Sequence, residues 1–415
     1  MQCLLKRPAW FWCLLFLALA PALVMAEVKL GIDVLGEAHP ELVRGKKLAL
    51  LVSGPSLDRS LEHVIDRLAR AATVKVIFTG EKYFRTTIPG ASGTTRLDAL
   101  TNAPVLELLN PLKRPTQAQL RGAEIILIDV QDTGIRYQQY VTLLAQFLEL
   151  SRETRLPVIL LDRPNPINGT IVSGPVLEVG KRSRFGVFPI PLVYGMTIGE
   201  LALYFNKAFG IGAPLTVVGM EGYSRRTLYR ETGLHWVPPS DHLPEPETPW
   251  AYAITGFLGE MGIFSTGVGT TRPFWYVLAP WLDGELLAHK LSQKELPGLR
   301  FLPVTIQPYY GLYQNKRTPG IELVIDDPLG YDPVLTGIAI LQALWELAPD
   351  RVPLKNSAVA AGLDTLLGSS KVREALIRGV PAREIQAGWQ EELARFMRER
   401  QAFLLYPETP VRSEE

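Results

Sequence analysis

The chain has 415 residues, and its 43 Lys+Arg against 42 Asp+Glu leave a formal charge of +1. That balance removes any general electrostatic reason to bind nucleic acid or an anionic membrane, and the length suits two domains better than one core. With only Cys3 and Cys13, and five scattered histidines, the sequence offers neither a disulfide framework nor a recognisable metal-ligand spacing, so no metal is expected.

Lys6 and Arg7 precede an apolar stretch from Ala9 to Leu23, and Val24-Met25-Ala26 follows with small or compact residues. Residues 1–26 therefore read as a secretory signal that carries both cysteines, cleaved after Ala26. Pro21 and the short apolar length argue against the other reading, a retained spanning helix. No stable membrane insertion is expected after cleavage, and the mature chain is expected in the periplasm or outside the cell.

The first half alternates strand and helix signals. Residues 48–52, 74–78, 125–128 and 158–161 are short apolar runs of the kind that forms strands buried on both faces, hence a parallel sheet. Helices are predicted over 58–71 and 137–152, and from 115 onward. Residues 82–104, rich in Thr, Gly and Ser, read as a long surface loop, and 105–109 as a short strand. Thr197 and Glu200 form a capping box that opens a helix to about residue 205, followed by a strand at 215–218. The order predicts a doubly wound α/β domain over 27–222. Beyond that, Pro and Trp become frequent. Strands at 274–279, 302–306 and 321–325 and helices at 332–347 and 382–405 read as a second α+β domain over 223–415.

Several chemistries lack support. There is no Gly-x-Gly-x-x-Gly after a strand, no phosphate-binding Gly-Lys-Ser/Thr loop, no Gly-x-Ser-x-Gly elbow and no His-Glu-x-x-His pair, so no cofactor is expected. Carboxylates, amides, tyrosines and arginines remain, an inventory suited to carbohydrate chemistry. Glu81 follows a strand at the sheet's carboxyl edge, where open α/β sheets hold their ligands, and suits a general acid; a solvated residue paired with Lys82 or Arg85 is the plain alternative. Asp129, Gln131, Asp132 and Arg136 crowd the next strand-to-helix turn, ending at Tyr137, where Asp132 or Thr133 would equally serve as a helix cap. Asp162-Arg163-Pro164-Asn165-Pro166 is a proline-stiffened loop suited to fixed recognition or, as simply, to an internal Asp–Arg pair. Glu260 lies in a glycine-dense run that extends to Arg272, which lets backbone approach a ligand or merely turns.

Long words in register carry a resemblance over nearly the whole chain. They are Leu30-Gly31-Ile32-Asp33-Val34-Leu35, Gly45-Lys46-Lys47, residues 129–140 and 162–169, and Ser173-Gly174-Pro175-Val176-Leu177. Tyr194-Gly195-Met196-Thr197, Gly269-Thr270-Thr271-Arg272-Pro273-Phe274, Trp389-Gln390 and Leu404-Leu405-Tyr406 complete the set. In these blocks the chain resembles the NamZ-type exo-β-N-acetylmuramidases, glycoside hydrolase family 171. The resemblance implies a Rossmann-like catalytic domain that binds no nucleotide, a smaller carboxyl-terminal auxiliary domain, and an active site in the cleft between them. It also implies removal of terminal N-acetylmuramic acid from peptidoglycan fragments. The resulting candidates are Glu81 and Glu260 for catalysis, with Lys82, Arg85, Asp132, Arg136, Tyr137, Asp162, Asn165, Tyr194 and Arg272 for substrate binding. Lys82 replaces the family's His, Tyr194 another His, and Thr266 and Val268 a Glu and an Arg. These replacements motivate the alternative of a peptidoglycan-fragment binder that kept the cleft and lost the chemistry.

Overall fold

A computed structural model describes residues 27–82, 84–85, 87–89, 96–110 and 113–409. The expected leader and its cysteines lie outside these residues. The larger sheet has eight strands: β1 (Lys47–Val52), β2 (Thr73–Thr79), β3 (Thr87–Pro89), β4 (Arg96–Asp98), β5 (Pro104–Glu107), β6 (Ile125–Asp129), β7 (Val158–Leu161) and β8 (Leu215–Val218). Their spatial order is β3-β4-β5-β2-β1-β6-β7-β8. β5, β2, β1, β6, β7 and β8 run parallel, while β4 is antiparallel to both β5 and β3.

Alternation along these strands builds two cores. Ala49, Leu51, Val76, Phe78, Ile126 and Ile128 face α3 (Gln139–Thr154) and α4 (Ile198–Ala208), meeting Leu144, Phe147, Leu201 and Phe205. Leu48, Leu50, Val52, Ile77, Leu127 and Leu161 face the other way, onto α1 (Gly31–Ala38) and α2 (Val64–Ala69) through Ile32, Leu35, Ile65 and Leu68. Because both faces are covered, the central strands are apolar throughout. The fold is the expected doubly wound, mostly parallel α/β sheet. From β1 the chain winds outward through β2 and β5, then returns to β6 on the other side and continues through β7 and β8. The direction reverses between β1 and β6, and the crevice at their carboxyl ends is where such sheets hold ligands.

The second half contains a three-stranded antiparallel sheet of β9 (Tyr276–Leu278), β10 (Leu299–Ile306) and β11 (Thr318–Ile325), in the order β10-β11-β9. Around it lie α5 (Thr248–Gly259), α6 (Gly284–Ser292), α7 (Pro333–Leu347), α8 (Ser357–Leu367), α9 (Lys371–Ile377), α10 (Ala382–Ala387) and α11 (Gln390–Arg400). Its core takes in Ile135, Tyr137, Ile167 and Val193 from the first half, so the two halves share apolar packing. The end of the chain returns to the first half, where Phe396 joins one core and Tyr406 the other.

Four local expectations change. Residues 82–104 contain β3 and β4, which extend the sheet edge; three-residue strands carry too little alternation to be read from sequence. The helix predicted over 58–71 shortens to α2, because Asp58 accepts from the Ser60 and Glu62 amides at 2.9 Å each and closes a turn ahead of the His63 cap. The helix predicted from 115 is a single 3-10 turn, Gln117–Leu120. The helix predicted over 382–405 is broken between α10 and α11 at Trp389, whose backbone leaves helical geometry while its indole is buried. The all-round apolar α5 lacks a polar stripe to announce it.

Candidate active site

A cleft of about 600 Å³ opens between the start of α3 and the end of α5. Tyr137, Gln138 and Gln139 supply the first-half wall; Tyr252, Gly256 and Glu260 supply the facing wall, with His242, Ser265 and Thr266 beside it. The walls are tied directly, for the Tyr137 hydroxyl donates to the Tyr252 carbonyl at 2.9 Å and the two rings meet edge to face. A Cβ at position 256 would collide with the Tyr137 hydroxyl, so glycine permits this closure. Gln138 starts α3 by accepting from the Tyr140 amide at 2.9 Å.

Glu81 stands at the carboxyl end of β2, immediately behind Gln139. The Gln139 amide donates to the Gly80 carbonyl at 2.6 Å. One Glu81 carboxylate oxygen accepts from the Gly54 amide, in the loop after β1, at 2.9 Å; the other accepts from the Tyr140 hydroxyl, on α3, at 2.8 Å. The side chain is partly buried, and burial pushes its pKa above the ordinary glutamate value, against the pull of the Gly54 and Tyr140 hydrogen bonds. A protonated carboxyl is thus retained to higher pH than on an open surface. The site lies over the reversal between β1 and β6, where Ser53 and Ser56 bridge the two strand ends. Ser56 donates to the Asp129 carbonyl at 2.6 Å, and the Gln131 amide donates to the Ser53 hydroxyl at 3.2 Å.

Of the eleven residues singled out in the sequence, Glu260 and Tyr137 line the cleft. Lys82 is exposed in the turn next to Glu81. Arg85 is engaged by Asp66 at 2.8 Å and Asp98 at 3.0 Å. The turns after β6 and β7 point their charges inward. Asp132 accepts from the Gly134 amide at 2.8 Å and from the Tyr194 hydroxyl, and all three lie buried. Asp162 accepts from Thr197 at 2.7 Å, the Gly199 amide at 2.8 Å and Tyr406 at 2.5 Å; burial lifts its pKa to about 6. Asn165 donates to the Met196 carbonyl at 2.9 Å and accepts from the Ile167 amide at 2.9 Å. Arg136 is fully buried, with carbonyls of Pro175, Ile190 and Leu366 at 2.9–3.0 Å, and burial lowers its pKa to about 9. Arg272 pairs with Glu322 and lies over the Trp275 ring at 4.5 Å. Asp132, Arg136, Asp162, Asn165 and Tyr194 are therefore buried in internal hydrogen-bond networks and are not among the residues lining the cleft.

Gln138, Gln139 and Tyr252 on the cleft walls are not among the sequence candidates, while Thr266 enters the sequence reading only as a departure from the family pattern. The two glutamines directly follow the polar turn; Tyr252 reaches the cleft from α5, whose apolar sequence carries no polar motif. Among the described residues, no three or more His, Cys, Asp or Glu side chains are placed to hold a metal ion.

Residues 48–247 match the family model described as exo-beta-N-acetylmuramidase NamZ, N-terminal, and residues 250–406 match its C-terminal counterpart. The chain is 32% identical over 383 residues to the peptidoglycan beta-N-acetylmuramidase NamZ of Bacillus subtilis, covering 92% of each. Two DUF1343 family crystal structures from Bacteroides fragilis are similar. One has 31% identity and a TM-score of 0.85, covering 92% of this chain and 99% of that one. The other has 25% identity and a TM-score of 0.72, covering 92% and 100%.

Proposed function

This chain belongs to the NamZ family of exo-β-N-acetylmuramidases and is accordingly a glycoside hydrolase, and we propose that it removes terminal N-acetylmuramic acid from peptidoglycan fragments. The observation that carries the mechanism is the seat of Glu81: a partly buried carboxyl at the sheet's reversal, with raised pKa, immediately behind the cleft wall. In this reading the terminal sugar enters the cleft and extends beside Gln139 to Glu81, which protonates the leaving glycosidic oxygen as its bond to the anomeric carbon breaks; water then adds to that carbon, and the proton it releases restores Glu81. Gly54 and Tyr140 fix the orientation of its carboxyl group. Glu260, on the facing wall, stabilises the positive charge that develops on the sugar ring. Lys82, exposed next to Glu81, receives the lactyl carboxylate of muramic acid, since Arg85 is already committed to two aspartates.

Asp132, Arg136, Asp162, Asn165 and Tyr194 serve this site by holding its floor, with Arg272 bracing the opposite side. A binder without catalysis is not the favoured reading, because the relative matched over nearly the whole chain is a peptidoglycan beta-N-acetylmuramidase and the replacement Tyr194 is buried against Asp132, off the cleft wall. We assign the leader at 1–26 to export, which puts the enzyme where peptidoglycan fragments occur. The test is to incubate purified protein with muramic-acid-terminated fragments and assay the released sugar. Free N-acetylmuramic acid is the expected product; fragments left intact, or cleaved only internally, would refute the proposal.

A further inference from the structure

The loop joining β10 to β11, residues 307–317, carries an apolar patch that the hydrolytic reading does not use. Tyr309 is 67% exposed, Tyr310 49% and Leu312 38%, three large side chains within four positions. The patch is continuous with the cleft mouth. Leu312 lines the cleft, and Tyr310 lies over the lining residue His242 with ring centroids 6.4 Å apart. The loop is also held firmly. The Tyr309 amide donates to the Gly269 carbonyl at 2.6 Å, the Asn315 amide to the Pro308 carbonyl at 2.8 Å, and the Tyr313 hydroxyl to the Ile263 carbonyl at 2.9 Å. Tyr313 and Asn315 adopt left-handed backbone, with φ of 64° and 59°. A side chain at Gly269, whose φ is 91°, would collide with the Tyr310 carbonyl, so glycine lets the loop seat against the cleft wall.

A fixed display of tyrosines in water marks a contact surface, because amphipathic rings give contact area with little entropy to lose. The same loop ends in Lys316 and Arg317, both exposed and without an ion pair among the described residues. Aromatic rings followed by free cations match a polymer of sugars that bears carboxylates. Resting on the muramidase reading, we propose that residues 307–317 form the aglycone subsite of this enzyme. The rest of the glycan strand leaves the cleft across Tyr309 and Tyr310, which stack on its sugar faces. Lys316 and Arg317 meet the carboxylates of the next muramic acid or of its peptide.

The experiment compares a muramic-acid-terminated tetrasaccharide with nitrophenyl β-N-acetylmuramide, whose leaving group is too small to reach the loop. Tyr310→Ala is expected to lower kcat/KM on the tetrasaccharide by about tenfold. On the nitrophenyl substrate the change should stay within about twofold. Tyr310→Phe should keep the tetrasaccharide rate. Tyr309→Ala, at a position too exposed to disturb folding, should shift the ratio the same way. Equal losses on both substrates, or no loss on the tetrasaccharide from either alanine variant, would overturn the subsite and leave hydrolysis standing. A wild type that cleaves neither substrate would remove the muramidase reading, and the subsite with it.

Discussion

A carboxylic acid that donates a proton to a leaving sugar has to stay protonated at the working pH, and Glu81 is seated for this. Burial raises its pKa, so the protonated fraction persists above the ordinary range near 4.5, and kcat/KM should fall as pH rises through the elevated value. The Tyr140 hydroxyl donates to the carboxylate and so favours the charged form. Tyr140→Phe removes that pull, and the basic limb of the pH–rate profile should move to higher pH; a limb that stays or moves down would contradict the assignment. Lys82→Ala should raise KM for muramides by about tenfold for one charge-assisted contact, while leaving inhibition by matched N-acetylglucosaminides, which lack the lactyl group, unchanged. Equal effects on both sugars would remove Lys82 from lactyl recognition. Glu81 stands out in the sequence by its place after a buried strand at the sheet's carboxyl edge, with a solvated ion pair as the plain alternative; the structure instead gives it the Gly54 amide and the Tyr140 hydroxyl as partners. Asp132 and Asp162 looked alike at the same stage. What separates them is the position of Tyr194 and Tyr406, donors that arrive from 62 and 244 residues away.

At the scale of elements, the turns after β6 and β7 are braces. Arg136 joins the loops at Pro175 and Ile190 to the end of α8 at Leu366, so one guanidinium ties the two halves together. Arg136→Ala would leave the Pro175 and Leu366 carbonyls without their side-chain donor, while the Ile190 carbonyl keeps the Leu177 amide at 3.1 Å, and should cost about 3 kcal/mol of stability. Urea denaturation would measure that loss, and the fraction that remains folded should keep a nearly normal KM. A raised KM without loss of stability would return Arg136 to the substrate-binding set. The strands were readable because parallel strands covered on both faces are apolar along nearly their whole length, as in β1, β6 and β7. β3, β4 and α5 were not. The first two are three residues long, and the third is buried on nearly every face, so neither period appears in the sequence.

Considered whole, the molecule makes its cleft by packing the second half onto the open carboxyl edge of the first, with Ile135, Tyr137, Ile167 and Val193 inside the second core. Apolar sharing of this kind holds the two walls in a fixed relation, which general acid catalysis demands, since small displacements of the acid from the glycosidic oxygen are costly. The central claim is that Glu81 supplies the proton to the leaving oxygen. The most direct measurement is kcat of Glu81→Gln relative to wild type on two muramides, one with a sugar leaving group and one with nitrophenolate, which departs without protonation. The account predicts a loss of about 10²–10⁴-fold on the sugar-linked substrate and a much smaller loss on the nitrophenyl one. Equal losses on the two, or a Glu81→Gln variant that keeps its rate on both, would contradict it.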